Sequence, residues 1–247
     1  MGKLILFAGK ELPAGNDMVS GASFQGSKVI ATSLNVGDDE SDSQNSRESN
    51  VVQVNWNRTS PLSARAIALK CENAGGLDAA ILVFDEFYYA TRYRDYNTAQ
   101  IIDELIGSYQ YLSQELVARF ARNPQKNTKI VFIHKSNYTL ADGVNSSSLR
   151  ASGVELSNPL VAAASAAFKS FAENFAAKFA EGGNVLPLLV SCEPSNDFSK
   201  RDSALSVWLC EYMDSIDNLK KPLSPKQKVS WVKAGAKSPS GLGILGF

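Results

Sequence analysis

The amino-acid sequence predicts an α/β fold built on one doubly wound parallel sheet with helices on both faces. Short, apolar, β-rich runs alternate along the chain with helical patterns, which is typical of parallel strands joined by crossover helices. The strand-like runs are apolar at nearly every position, as expected for strands buried on both faces. A length of 247 residues suits one large domain with a sizeable core, so a single domain over residues 1–247 is predicted.

Six strands and four helices account for most of this framework. The strands are predicted at residues 3–7, 28–31, 50–54, 79–84, 129–133 and 184–190. The helices are predicted at residues 60–73, 98–122, 159–180 and 202–216. In the first helix, Ser60 is a favourable N-cap and Pro61 fits the first turn. Residues 16–27 stand where another crossover helix belongs, but they are poor helix formers.

Three segments are predicted to lie outside the regular elements. Residues 37–49 (GDDESDSQNSRES) are acidic, rich in serine and free of aromatic residues, which indicates a mobile loop. Residues 138–157 are polar and rich in serine and glycine, so a second mobile loop is predicted there. Residues 240–247 form an apolar C-terminal tail.

Composition excludes several classes of partner and site. Basic and acidic residues number 25 each, so the net charge points neither to nucleic acid nor to a membrane surface. No stretch approaches the roughly 18 apolar residues of a membrane span. Three widely spaced cysteines, Cys71, Cys192 and Cys210, are typical of reduced thiols, and a cytoplasmic protein is expected. His134 is the single histidine, so no metal site is predicted.

The first predicted strand leads into AGKELPAG at residues 8–15. This run resembles T-G-x-x-x-G-x-G, the glycine-rich turn of the short-chain dehydrogenase/reductase family, and the order of elements resembles that family over nearly the whole chain. The resemblance implies a Rossmann-type fold, in which those glycines let the backbone approach the cofactor pyrophosphate. Gly9 and Gly15 keep the outer glycines, but Pro13 replaces the middle one and removes an N–H donor. The degenerate loop implies that this chain binds no cofactor.

Other positions that contact the cofactor in the family also differ here. The family has an acid for the ribose of NAD, or a base near it for the phosphate of NADP, where this chain has SLN at residues 33–35. Asn55 stands where an aspartate usually follows the third strand, and the bulky Trp56 lies beside it. The fourth strand ends in FDEF at residues 84–87 in place of the small N-N-A-G, which brings bulk and two carboxylates towards a dianionic ligand.

The catalytic pair of the family, Tyr-x-x-x-Lys, is missing. None of the eight tyrosines is followed by a lysine four residues later. Aligning SAAF at residues 165–168 with the family's K-A-A-L places Val161 at the catalytic tyrosine and Ser165 at the lysine. Val161 has no proton to give, and Ser165 cannot lower the pKa of a phenol as an ammonium does. Similarity of KIVFIHKS at residues 129–136 to the family's fifth strand puts Ser136 near the catalytic serine.

A relocated catalytic set is the weaker alternative. Lys135, Ser136 and Tyr138 offer an ammonium, a hydroxyl and a phenol within four residues. His134 lies two residues from Ser136 on one strand, where the two side chains do not meet as base and nucleophile, so His134 is expected to be structural or on the surface.

The charged and aromatic residues after the fourth strand have non-catalytic interpretations. Asp85 and Glu86 point to opposite sides of a strand, so they are not expected to act as a catalytic pair; each is expected to be solvated or to form a salt bridge with Arg92 or Arg94. The neighbouring aromatic cluster is expected to fill the vacated cofactor cleft, with a surface that faces a partner as the alternative. Its members are Phe87, Tyr88, Tyr89, Tyr93 and Tyr96.

Oligomers of the family form through the two helices that correspond to residues 98–122 and 159–180. The resemblance therefore implies an interface made by the apolar residues of these helices and of the tail. The predicted interface residues are Tyr109, Leu112, Leu116, Phe168, Phe171, Phe175, Phe179 and Phe247.

The function that these patterns favour is a catalytically silent subunit paired with an active short-chain dehydrogenase, which would hold the NAD or NADP. The heteromeric hydroxyacyl-CoA dehydrogenase of benzylsuccinate degradation is the family precedent that this arrangement most resembles. Two alternatives stay open: a divergent reductase that uses Lys135, Ser136 or Tyr138, and a homo-oligomeric scaffold or small-molecule sensor.

Overall fold

A computed structural model describes residues 2–34, 50–93, 98–123, 126–139, 147, 156–237 and 239. It confirms the predicted fold class: one parallel sheet of seven strands in the order β3-β2-β1-β4-β5-β6-β7, with helices on both faces. The strands are β1 (Leu4–Leu12), β2 (Lys28–Ser33), β3 (Val51–Asn55), β4 (Ala79–Asp85), β5 (Thr128–Lys135), β6 (Val185–Cys192) and β7 (Trp231–Lys233).

The helices of the described residues surround this sheet. They are α1 (Asn16–Phe24), α2 (Pro61–Asn73), α3 (Glu86–Arg92), α4 (Thr98–Ile102), α5 (Ser108–Phe120), α6 (Pro159–Phe179), α7 (Asp202–Asp217) and α8 (Pro225–Lys228). The six predicted strands and three of the predicted helices lie where the sequence places them, and the Ser60 hydroxyl caps α2 by accepting from the Ser63 N–H. The helix predicted at residues 98–122 is interrupted by a π-helical turn, Asp103–Gly107.

Three short elements are present that the sequence does not predict: the helices α3 and α8 and the edge strand β7. Residues 16–24 form the helix α1 although their intrinsic helix propensity is low. Packing against α7 stabilises this helix in place of the propensity that its residues lack. Gly21 permits that packing: a Cβ built at this position would lie 2.4 Å from the Ser203 carbonyl oxygen of α7.

The core has two apolar layers, one on each face of the sheet. One layer packs the sheet against α2, α5 and α6, and the other packs it against α1 and α7. Each strand from β1 to β6 except β3 contributes buried residues to these layers, as the continuous apolar runs predict.

The predicted oligomer interface needs correction. Tyr109, Leu112, Leu116 and Phe168 are at most 2% exposed and form part of the core of a single chain, so they offer no surface to a partner. Helix periodicity identifies an apolar face but does not distinguish a core from an interface, and here the face points to the sheet. Three of the predicted interface residues are only partly buried and pack against the same core, and their role in an interface remains a prediction. They are Phe171, Phe175 and Phe179.

Several predicted features lie outside the described residues. These are the loop at residues 37–49, most of the loop at residues 138–157, the tail at residues 240–247 with Phe247, and the individual residues Asn35, Arg94 and Tyr96. Within the described residues, no helix combines the length and the apolar character that crossing a membrane requires.

Candidate functional site at the carboxyl edge of the sheet

The strand order reverses between β1 and β4, and doubly wound sheets bind ligands outside the carboxyl ends of strands at such a point. The structure corrects the prediction for this place, because β1 continues to Leu12 and residues 9–12 are strand where a glycine-rich loop is predicted. Gly9 has a φ of 111°, and a Cβ there would lie 2.0 Å from the Val83 carbonyl oxygen of β4. Close packing between strands therefore accounts for this glycine.

The other two loop positions lie beyond the strand. Pro13 follows the end of β1, and Gly15 is the N-cap of α1 without a side-chain capping bond. A Cβ at Gly15 would lie 2.2 Å from the Lys10 carbonyl oxygen, so this glycine too is required by contacts within the chain.

Four charged side chains form a closed ring at the switch point. Lys10 Nζ lies 2.8 Å from Asp85 Oδ2 and 2.6 Å from Asp202 Oδ2. Lys135 Nζ lies 2.9 Å from Asp85 Oδ2 and 2.5 Å from Asp202 Oδ1. Each cation thus contacts both anions, and the ring joins β1, β4, β5 and the first residue of α7. We call this set the charge ring.

The charge ring is largely buried and electrically balanced. The exposed fraction of the side chain is 15% for Lys10, 3% for Asp85, 6% for Lys135 and 9% for Asp202. Burial alone would raise the pKa of Asp85, but the two ammonium groups outweigh it and lower the pKa. Burial also raises the pKa of the Cys192 thiol to about 11, with Lys135 opposing the shift. The ring therefore holds the Asp85 carboxylate ionised beside an unreactive thiol.

A second ion pair lies on the other face of the same strand end. Arg58, from the loop after β3, donates from Nε to Glu11 Oε1 at 2.5 Å, and the Glu11 side chain is fully buried. The remaining guanidinium nitrogens donate to the Gly9 carbonyl at 2.7 Å, the Tyr89 hydroxyl at 2.5 Å and the Glu104 carbonyl at 2.9 Å. A buried guanidinium is stable only with such complete pairing.

Aromatic rings enclose this guanidinium. The Arg58 Cζ lies 4.4 Å from the centroid of the Trp56 ring, 5.2 Å from that of Tyr89 and 5.3 Å from that of Tyr109. Tyr109 donates to the Val83 carbonyl oxygen at 2.5 Å, which fastens α5 to β4. We call Arg58, Glu11 and these three rings the arginine cage.

The aromatic residues after β4 divide between this cage and the surface. Tyr89 and Tyr93 are buried, as expected for residues that fill the cleft, whereas Phe87 is 44% exposed and does not fill it. The Tyr88 hydroxyl contacts Glu11 Oε2 at 3.3 Å, and Arg92 reaches the same oxygen at 3.7 Å. Arg92 therefore pairs with Glu11 and not with Asp85, which corrects the predicted pairing.

Glu86 belongs to a third polar group on α3, β5 and α6. Ser165 Oγ donates to Glu86 Oε2 at 2.9 Å and lies 2.7 Å from His134 Nε2. Burial lowers the pKa of His134, while Glu86 opposes this shift. When the neutral imidazole carries its proton on Nε2, the order of donation runs from His134 through Ser165 to Glu86. The Ser165 hydroxyl, at the position aligned with the family's lysine, thus connects the Glu86 carboxylate to the His134 imidazole.

The predicted catalytic candidates do not converge. Val161 is fully buried in the core, and Lys135 belongs to the charge ring. Ser136 follows β5 with its N–H bonded to the Cys192 carbonyl oxygen, and the Tyr138 hydroxyl contacts the Pro194 carbonyl at 3.4 Å. The alternative of a set built from Lys135, Ser136 and Tyr138 therefore has no support in these contacts.

The carboxylates at this edge are paired inside the protein. Glu11 pairs with Arg58, and Asp85 pairs with Lys10 and Lys135. Among the described residues, no group of three or more histidine, cysteine or acidic side chains is placed to hold a metal ion.

Comparison with known proteins supports the fold assignment. No protein-family model matches the sequence. An uncharacterized protein of Treponema pallidum (strain Nichols) is 28% identical over 191 residues, which cover 75% of this chain and 74% of that protein.

Solved structures with a similar fold are short-chain dehydrogenases and reductases. A short chain dehydrogenase from Mycobacterium smegmatis superposes with a TM-score of 0.61 at 16% identity, covering 96% of this chain and 93% of its own. A carbonyl reductase from Pseudomonas aeruginosa gives 0.59 at 14% identity, covering 95% and 97%. A short chain dehydrogenase from Leptospira borgpetersenii with bound NAD+ gives 0.56 at 13% identity, covering 93% and 83%. The chain thus has the fold of this class of oxidoreductases.

Proposed function

We propose that this chain is a non-catalytic relative of the short-chain dehydrogenases that binds no nicotinamide cofactor and acts as a subunit beside an active dehydrogenase. The observation that carries the proposal is the pairing of Lys10, Asp85, Lys135 and Asp202 at the switch point of the sheet. In an enzyme of this fold that place belongs to the cofactor.

Electrostatics opposes cofactor binding in two ways. The doubly negative pyrophosphate meets no uncompensated positive charge, because Lys10 and Lys135 already pair with Asp85 and Asp202, and Arg58 pairs with Glu11. Turning these cations towards a pyrophosphate would leave buried carboxylates unpaired, which costs about 3–5 kcal/mol for each broken pair. We propose no interaction at this edge that would compensate for both effects.

A supporting subunit accounts for a retained fold without the catalytic pair. The partner would supply the NAD or NADP and the Tyr-x-x-x-Lys, and the family precedent makes a hydroxyacyl-CoA its substrate class. Apolar surface for such pairing remains on the outer side of the predicted helix pair, where Ile102 is 48% exposed and Tyr111 is 36% exposed. A second copy of this chain is the alternative occupant of that surface.

A tagged pull-down from the native host with native mass spectrometry tests this proposal. A partner in 1:1 ratio that carries an intact glycine-rich turn and the Tyr-x-x-x-Lys pair is the expected result. Tyr111→Glu should abolish the association, whereas Phe24→Glu should leave it intact, because Phe24 is 86% exposed on α1 at a different surface. A homo-oligomer alone, or an association that survives Tyr111→Glu, argues against the hetero-oligomer.

A second candidate function rests on the chain of Glu86, Ser165 and His134. A histidine within 2.7 Å of a hydroxyl that is hydrogen bonded to a carboxylate is an arrangement able to move a proton, so a divergent enzyme could use His134 as a general acid or base. Turnover of a ketone or acyl-CoA by the pure protein, lost in His134→Gln and kept in Tyr138→Phe, would favour this function over the silent subunit.

A further inference from the structure

A cavity of about 310 Å³ lies at the amino edge of the sheet, on the side opposite to the charge ring. It opens between the ends of α2 and α5 and the starts of β4 and β5. Leu77 precedes β4 and Thr128 begins β5, while Gly75 and Gly76 follow α2. Its volume is at the lower end of the range of about 300–1,000 Å³ that small-molecule sites occupy.

Apolar side chains from α2, from α5 and from the loop before β4 form the floor of this cavity. All of them are buried, with Phe120 the most exposed at 7%; they are Ala68, Cys71, Leu77, Leu116 and Phe120. The Cys71 thiol belongs to this floor, and burial raises its pKa to about 12, so it contributes an apolar surface and no charge. Such a floor favours an apolar body over water.

The rim of the cavity is cationic. Arg119, Arg122 and Lys126 line it together with one carboxylate, that of Glu72. The guanidinium of Arg122 lies 3.3 Å from Glu72, and the Arg119 Nε lies 3.2 Å from the same carboxyl group. Among the lining residues that the structure describes, three cations therefore face a single anion.

The pairing of Arg119 is incomplete. Its side chain is 8% exposed, yet Nε forms no hydrogen bond, because the contact with Glu72 is misaligned despite its length of 3.2 Å. Outside the cavity, Glu115 lies 3.4 Å from Arg119 and Asp78 lies 2.9 Å from Lys126. These anions balance the charge without satisfying the buried Nε–H, which remains a donor for a further acceptor.

We propose that this cavity binds a small carboxylic acid with a compact apolar body. The carboxylate would accept from Arg119 and Arg122 beside Glu72, because a guanidinium pairs with carboxylates in a bidentate geometry. The apolar body would lie on Cys71 and Leu77. This site is separate from the carboxyl edge, so it neither requires nor excludes the proposed silent-subunit role.

Calorimetric titration of the full-length protein with octanoate tests the charge requirement. Wild type should bind one octanoate per chain with a dissociation constant of about 1 mM or below. Arg122→Gln should weaken octanoate binding about tenfold, since it removes a charge-assisted hydrogen bond. Wild type should bind 1-octanol, which has no carboxylate, no more tightly than Arg122→Gln binds octanoate. Arg122 is 60% exposed, so its replacement leaves the fold intact, and Arg65→Gln at an exposed position of α2 is the matched control.

Alkylation of the wild-type cysteines tests the location without any variant. Octanoate should slow the labelling of Cys71 by iodoacetamide several-fold, while Cys192 and Cys210, both buried elsewhere, should react at unchanged rates. Equal slowing of all three thiols would show general stabilisation and overturn the proposal. Absence of saturable octanoate binding, or equal affinity in wild type and Arg122→Gln, would overturn it as well.

Discussion

Lys135 Nζ lies 2.5 Å from Asp202 Oδ1, and this contact closes a ring whose members are as many as 192 positions apart in sequence. The ring fastens the start of α7 to the ends of β1, β4 and β5. It places paired charges at the edge where an enzyme of this fold opens its cofactor cleft. The buried ion pairs thus tie the tertiary structure to the proposed loss of cofactor binding.

Opening the charge ring should destabilise the protein strongly. Lys135→Met leaves Asp85 and Asp202 with Lys10 as their shared cation, so the free energy of unfolding in urea should fall by about 3–5 kcal/mol. Lys233→Met is the control, because its ammonium lies 3.7 Å from Glu193 between side chains that are 63% and 61% exposed. That change should stay within about 0.5 kcal/mol. Similar losses in both variants would contradict a structural role for the ring.

Arg58 should not be replaceable by lysine. The ammonium of Arg58→Lys cannot reach Glu11, Gly9 and Glu104 together, so buried acceptors lose their donors, and about 3 kcal/mol of stability should be lost. Arg65→Lys, exposed on α2, should be neutral in the same urea titration. A stability of Arg58→Lys equal to that of the control would mean that the arginine cage contributes little.

Gly9 should tolerate no side chain. In Gly9→Ala the new Cβ meets the Val83 carbonyl oxygen at 2.0 Å in a backbone of φ 111°, so β1 and β4 must separate. Gly182→Ala has open space around the position and should change the thermal unfolding midpoint little. We expect Gly9→Ala to unfold well below wild type or to fail to accumulate as folded protein. An unchanged midpoint would show that the strand extension is not rigid.

Stability should depend on the protonation of His134. Burial lowers its pKa, so between that lowered value and about 6.5 the unfolded chain binds a proton that the folded chain does not. The stability that neutral His134 contributes is therefore fully present above about pH 6.5, and it is lost as the pH falls through the pKa of His134 in the folded state. Since His134 is the single histidine, His134→Gln should remove this slope from urea titrations between pH 5.5 and 7.5. Persistence of the slope in the variant would assign it to other groups.

The sequence determined the framework well because burial leaves a strong local signal. Runs such as residues 79–84 are apolar at nearly every position, and β4 forms there with all of its residues buried. The cap at Ser60 likewise follows from neighbouring residues. Asp85 caps α3 by accepting from the Tyr88 N–H, and an aspartate is a typical N-cap residue in a sequence. The helix is nevertheless not predicted, because Asp85 is also the last residue of β4 and no loop separates the two elements.

The candidate site could not be predicted because its residues are joined only by the fold. Lys10 and Glu11 are charged, so a sequence pattern ends the strand before them, whereas Asp85 and Arg58 make their burial possible. The sequence alignment places Ser165 at the position of the family's catalytic lysine and gives no role to its hydroxyl. The hydrogen bonds of Ser165 to His134 and Glu86 depend on how α6 packs on β5. Partners distant in sequence decide whether a charged residue is buried, and one sequence does not show them.

The measurement that tests the central claim most directly is calorimetric titration of the purified protein with NADH and with NADPH, alongside an active short-chain dehydrogenase as positive control. With the switch point filled by the charge ring and the arginine cage, we predict no heat of binding at millimolar cofactor. A saturable micromolar affinity for either cofactor would contradict the account and would show that this chain binds a nicotinamide cofactor.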